Sequence, residues 1–250
     1  MASTSLTTFD GETVTHPGGM RSIRAFPTDS VAHLDPFVLF ERFHIEPEQG
    51  FGTHPHKGFE IVSYMLEGGM AHADSLGHDT VARAGDAMRI TAGGGIEHSE
   101  LPADGAFCSG LQLWVNLPRE RKEIDPGYED ADAGDLPTAE TEGATVTTVV
   151  GEGSPLTVQT AMTYADARIA GEWTWTVPDG WVGFAYVIAG EGVVSSAARD
   201  AERSRALSPG AVVAVDGGDY GFSTDESLRV ATVAGKPHGE PIRHRGPFVL

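Results

Sequence analysis

Residues 63–71 read SYMLEGGMA and are followed at 82–94 by ARAGDAMRITAGG; residues 185–194 read AYVIAGEGVV and are followed at 207–219 by LSPGAVVAVDGGD. Each pair has the same grammar: an apolar run, a glycine turn, then a small-residue turn that opens a second apolar run. The copies stand 122 residues apart at Tyr64 and Tyr186 and 125 apart at Gly85 and Gly210. Recurrence at a nearly constant offset implies one structural unit used twice. The unit is β: short apolar runs broken by glycine and proline recur along a chain with 32 glycines and 15 prolines, and no stripe of helical period competes over a comparable length. Strands are expected at 37–45, 59–66, 86–91, 110–117, 146–150, 157–169, 172–177, 183–194, 211–216 and 228–235. This spacing predicts an all-β fold of two β-barrels. Between them, residues 118–144 (PRERKEIDPGYEDADAGDLPTAETEGA) are acidic and poor in apolar side chains, which predicts a linker joining a domain at 1–117 to a domain at 145–250.

Of the 250 residues, 36 are acidic and 17 are lysine or arginine, a formal charge of -19, with lysine only at Lys57, Lys122 and Lys236. A phosphate backbone needs a concentrated cationic face, so direct contact with nucleic acid is not expected. Excess acid with few lysines is the surface of a protein kept soluble in concentrated salt, where charges are screened within ~3 Å at ~1 M, and it predicts a halophilic setting. One cysteine, Cys108 in GAFCSGLQLW, rules out an internal disulfide and reads as a buried structural thiol in a reducing compartment. The first residues, MASTSLTTFDGETVTHPGG, lack the basic and apolar regions of a signal peptide, and no apolar run approaches the roughly 20 residues of a membrane span. A cytoplasmic protein without a membrane partner is expected.

The chemistry concentrates in GFGTHPHKGFE (50–60) and GGGIEHSEL (93–101). Residues two apart on an extended strand share a face, so His54 and His56 form one inward pair, and His98 and Glu100 form another. Three neutral imidazoles and one carboxylate suit a divalent first-row ion such as Fe(II), with Mn, Ni, Cu and Zn as competitors. Glu60, four residues after His56, competes with Glu100 for the carboxylate position; if it is no ligand, it is a candidate to orient a histidine. His16, His33, His44, His72, His78, His238 and His244 show no such pairing and read as scattered histidines. Phe51 and Gln112 are candidates for pocket lining or, equally, for ordinary packing.

The stretches HPHKGFEIVSYMLEGGMAHADSLGH (54–78), AGDAMRITAGGGIEHSE (84–100), GLQLWVNLP (110–118) and GEPIRHRGPFV (239–249) resemble the pirins, a branch of the cupin superfamily. The likeness is dense from residue 20 to 120 and weak in the second half until the closing segment. It implies a bicupin: a metal-binding cupin domain at 1–117, a linker at 118–144, and a degenerate cupin domain at 145–250 whose closing segment returns towards the first. It implies a single ion held by His54, His56, His98 and Glu100, in preference to Glu60. In the second half WTWTVPDG stands where a histidine pair would be. The resemblance further implies a quercetin 2,3-dioxygenase-type activity on a small-molecule substrate, a flavonol or another enolisable aromatic, with O2. Glu100 is then the catalytic base. The alternative it implies is a non-catalytic, redox-responsive metal-binding regulator acting through a protein partner.

Overall fold

The computed structural model describes residues 6–16, 19–196 and 204–250. Among these, only Ala103–Gly105 and Arg119–Arg121 are helical, each a single 3-10 turn, and no helix is long and apolar enough to cross a membrane. The rest is strand and turn. Two compact units divide the chain: one comprises Glu12–Asp135, Pro155–Thr160 and His238–Leu250, the other Met1–Gly11, Leu136–Ser154 and Ala161–Pro237.

The first unit contains a seven-stranded antiparallel sheet in the order Gly127–Ala131, Ala87–Thr91, Phe59–Glu67, Cys108–Asn116, Phe37–Ile45, Arg21–Phe26, Glu12–Thr15. A four-stranded sheet runs Phe51–His56, Ile96–Pro102, Gly69–Asp74, Asp79–Arg83. Phe59–Glu67 and Cys108–Asn116 lie at the centre of the larger sheet and are buried on both faces, which is why they read as unbroken apolar runs. Cys108 is free and fully buried in a cluster with Met65, Met70 and Met88, and burial pushes its thiol up to about 11. The chain passes from the small sheet at His56 to the large one at Phe59 through Gly58, whose φ is +85° and where a Cβ would lie 2.0 Å from the Val249 carbonyl oxygen. Only glycine fits that corner.

The second unit is a nine-stranded sheet, ordered Thr138–Thr141, Ala144–Val150, Met162–Ile169, Leu228–Gly235, Glu172–Gly190, Ala211–Ser223, Gly192–Ser196, Arg205–Leu207, with Leu6–Asp10 also paired to Ala211–Ser223. Its core includes Trp175, Val177, Tyr220, Phe222 and Val230. Residues expected as two strands, 172–177 and 183–194, instead lie largely on one, Glu172–Gly190: the Pro178–Asp179–Gly180 interruption is absorbed as a register shift between Val177 and Val182 without breaking the pairing to Ala211–Ser223. The strand expected at 157–169 begins only at Met162, because Pro155–Thr160 belongs to the first unit, where the Thr157 and Gln159 backbone N–H groups donate to Glu129 and Glu60. Within the acidic stretch 118–144, Gly127–Ala131 pairs with Ala87–Thr91, and Thr138–Thr141 pairs with Ala144–Val150.

A buried charge holds the second sheet. Asp166, with a fully buried side chain, accepts from Arg229 Nε at 3.0 Å and Nη2 at 2.8 Å, and Arg168 approaches at 3.3 Å. Removing one member of such a cluster strands the others; because both arginines keep some solvent, the loss is below the 3–5 kcal/mol of a fully buried pair. Asp166→Ala is expected to lower stability by about 2–3 kcal/mol, read as a lower urea midpoint; an unchanged midpoint would show that solvent screens the cluster.

Candidate metal centre

Phe51–His56 and Ile96–Pro102 are neighbours in the small sheet, in a register that sets His98 directly opposite His54 and Ile96 opposite His56. The three imidazoles therefore gather: ring centroids lie 4.4 Å apart for His54 and His98, 4.7 Å for His54 and His56, and 4.9 Å for His56 and His98. One nitrogen from each falls within 4.8 Å of the others. His56 and His98 are buried, and His54 is partly exposed.

The free lone pairs follow from the hydrogen bonds. His54 Nδ1 lies 2.8 Å from the Gly52 carbonyl oxygen, and His56 Nδ1 lies 3.1 Å from that of Pro247. A carbonyl only accepts, so each Nδ1 carries the hydrogen and each Nε2 is left bare, the arrangement in which an outer partner orients a metal-binding histidine. Among the described residues neither ring nitrogen of His98 has a hydrogen-bond partner, although both are buried. Burial holds His56 down to about 4 against the Pro247 hydrogen bond, and holds His98 down to about 2, with the neighbouring imidazoles adding to the effect. Both are neutral at pH 7 and able to donate lone pairs.

Glu100 lies outside the tight group. Between His98 and Glu100 the register shifts, so that Glu100 stands opposite Phe51. Its Oε2 accepts from Gln112 Nε2 at 3.3 Å, while Oε1 is buried without a hydrogen-bond partner among the described residues. Burial raises its carboxyl to about 7, with the Gln112 hydrogen bond opposing. Gln112 is in turn oriented by Trp114, whose Nε1 donates to Gln112 Oε1 at 3.1 Å. Trp114 also meets the His56 ring edge-on at 5.0 Å. Gln112 thus belongs to the site, and Trp114 is a site residue that sequence reasoning passed over. Phe51 packs at 5.6 Å from both His54 and His16.

Glu60 is elsewhere. It lies in the large sheet beyond the Gly58 corner, so counting parity from His56 fails. Its two oxygens accept from Thr91 Oγ1 at 2.7 Å and from the Gln159 backbone N–H at 2.8 Å. The carboxylate anchors segment 155–160, and neither of these partners is a histidine.

Behind Glu100 the large sheet carries a polar rung, since residues paired across strands share a face. Arg24, Glu41, Gln112 and Ser63 are successive partners on adjacent strands. Glu41 is buried and bound by Arg24 Nε at 2.9 Å and Ser22 Oγ at 2.9 Å. His72 and His78, read as scattered, both contact Asp74, whose side chain is fully buried. The H-x-D-x-x-x-H spacing of HADSLGH was the signal for that cluster.

A donor set of converging bare nitrogens beside orphaned buried polar atoms fits a divalent ion, for which these atoms would be the partners. Comparisons with known proteins give the chain's relatives. The pirin family model matches residues 19–115, and the model of the pirin C-terminal cupin domain matches 164–250. Pirin-1 of Arabidopsis thaliana is 40% identical over 227 residues, 87% of this chain and 77% of that protein. Pirin of Homo sapiens is 35% identical over 245 residues, 93% of this chain and 82% of that protein. Among solved structures, a quercetin 2,3-dioxygenase from Acinetobacter baumannii superposes with a TM-score of 0.86 at 26% identity, covering 98% of this chain and 90% of that one. This chain, with its two cupin-type domains, belongs to the pirin family.

Proposed function

We propose that the protein is a metal-dependent oxygenase of the quercetin 2,3-dioxygenase type, opening the ring of a flavonol or another enolisable aromatic with O2. The observation that carries this reading is the convergence of three histidine nitrogens within 4.8 Å, together with a buried Glu100 oxygen that has no hydrogen-bond partner among the described residues. Likeness to the Acinetobacter baumannii quercetin 2,3-dioxygenase supports the reaction class. His54, His56 and His98 would supply nitrogen ligands and Glu100 the oxygen, to Fe(II) first and to Mn, Ni, Cu or Zn as alternatives. When bound, such an ion supplies Lewis acidity and a common centre that orients a deprotonated enol and O2.

The chain's own residues do the rest. Glu100 Oε1 accepts the proton of the substrate hydroxyl, while Gln112 Nε2 holds Oε2 in place. Trp114 and Phe59, stacked at 4.3 Å, both meet the His56 ring edge-on, at 5.0 Å and 5.1 Å, and present it an apolar wall. His54, the partly exposed ligand, marks the side of substrate entry.

The test is anaerobic loading with Fe(II), metal analysis by inductively coupled plasma methods, and O2 uptake with quercetin and a panel of enolisable aromatics. The expected result is about one ion per chain and substrate-dependent O2 consumption. Substoichiometric metal under every loading condition overturns the reading. A full complement of metal without O2 uptake overturns the oxygenase and leaves the redox-responsive regulator, whose partner binding would then follow the oxidation state of the ion.

A further inference from the structure

His72 is a buried titratable group next to the converging histidines. It stands directly across the sheet from Glu100, its ring is 5.5 Å from that of His98, and it lies outside the group of converging donors. Both His72 and Asp74 have fully buried side chains. Asp74 Oδ1 accepts from the backbone N–H groups of Leu76 at 2.9 Å and His78 at 3.1 Å, and Oδ2 lies 2.9 Å from His78 Nδ1. A carboxylate so placed only accepts, so in the 3.2 Å contact between His72 Nε2 and Asp74 Oδ2 the imidazole carries the hydrogen. His72 Nδ1 is then a bare lone pair, buried and without a hydrogen-bond partner among the described residues. The ring cannot easily turn to hide it. Tyr128 stacks on it at 4.5 Å and 12°, and the Tyr128 hydroxyl is tied to Thr80 Oγ1 at 2.7 Å.

We propose that His72 is a specificity-determining residue of the centre: its Nδ1 accepts a hydrogen bond from a hydroxyl on the carbon adjacent to the one whose oxygen binds at the three histidines, so the preferred ligands are catechols and vicinal enediols. The inference rests on the metal-centre reading above and narrows its substrate class: the enol of a flavonol is flanked by a carbonyl and not by a hydroxyl, so of the enolisable compounds named there the catechols and enediols are preferred over flavonols. An acceptor fixed in this tautomer discriminates sharply, because a methoxy or carbonyl oxygen at the neighbouring position would face it lone pair to lone pair.

The experiment is equilibrium binding, under argon, of 4-nitrocatechol and of 2-methoxy-4-nitrophenol to Fe(II)-loaded protein, with metal content measured for each variant. The readout is the ratio of the two dissociation constants. His72→Phe keeps a ring against Tyr128 and removes the acceptor; the preference for the catechol is expected to fall about tenfold, the factor of one net hydrogen bond in a buried site. Chelation by the catechol alone would give the same ratio in both proteins, and an unchanged ratio overturns the proposal.

Asp74→Asn gives an independent reading, and it decides the matter if the first variant fails to fold. The two backbone N–H groups at Oδ1 hold the amide oxygen there, which turns the amide NH2 towards His72 Nε2. The imidazole must then move its hydrogen to Nδ1 and become a donor, so the preference is expected to shift towards the methoxy compound; no shift overturns the proposal. Wild-type protein that loads no metal fails the metal-centre reading and this inference with it. Protein that loads metal and discriminates as expected but consumes no O2 fails the oxygenase reading alone.

Discussion

His98→Ala is expected to leave the protein folded and unable to hold a stoichiometric ion. His98 sits opposite His54 and closes the group from the neighbouring strand, so its loss leaves two imidazoles, both from Phe51–His56, with no nitrogen donor across from them. Changes to groups that merely orient a ligand weaken metal binding by roughly 10–100-fold, and loss of a ligand is expected to exceed the upper figure. Stability should change little, because neither ring nitrogen makes a hydrogen bond among the described residues and deleting them removes two buried, unsatisfied polar atoms. Competition against a chelator of known affinity measures the first effect, and the urea midpoint the second. His33→Ala, at an exposed position, is the control and should keep wild-type affinity. Retention of wild-type affinity by His98→Ala would show that the three histidines are no metal site.

The histidine pair and HSE could be found in the sequence because i, i+2 spacing on a strand is a local property. The central strands could be found because burial on both faces leaves an unbroken apolar run, as in Phe59–Glu67. What escaped depends on partners distant in the chain. Glu60 seemed to share the face of His56 by parity, but Gly58 turns the chain into another sheet, and parity does not survive a corner. Strands such as Gly69–Asp74 and Ile96–Pro102 carry histidines and acids on their buried face, which erases the apolar signal. Gly127–Ala131 hides in an acidic stretch because its stabilising partner is Arg89, whose Nη2 meets Glu129 at 2.8 Å. His72 looked scattered because its role comes from a cross-strand neighbour, Glu100, and from the stacking of Tyr128, neither of them near it in sequence.

Glu100→Gln is expected to retain metal, bound more weakly, and to lose turnover per bound ion by about 10²–10⁴-fold, the range over which a positioned general base contributes. The direction follows from which way the new amide must lie. Trp114 Nε1 donates to Gln112 Oε1, which turns the Gln112 NH2 towards position 100, where it now donates to Glu100 Oε2. A glutamine at 100 must answer that donor with its own carbonyl oxygen, so its NH2 falls at the place of Oε1. That is the atom the proposed reaction needs as proton acceptor, and an amide nitrogen there is a donor with no lone pair to offer. The three histidines are untouched, so metal content separates lost chemistry from a lost site. Reversing the orienting contact gives a second check: in Gln112→Leu the glutamine at 100 is free to turn its carbonyl towards the substrate, yet an amide oxygen is still too weak a base, so activity should stay low in the double variant. If metal-loaded Glu100→Gln turns over at the wild-type rate, the proton leaves by another route and Glu100 is no base.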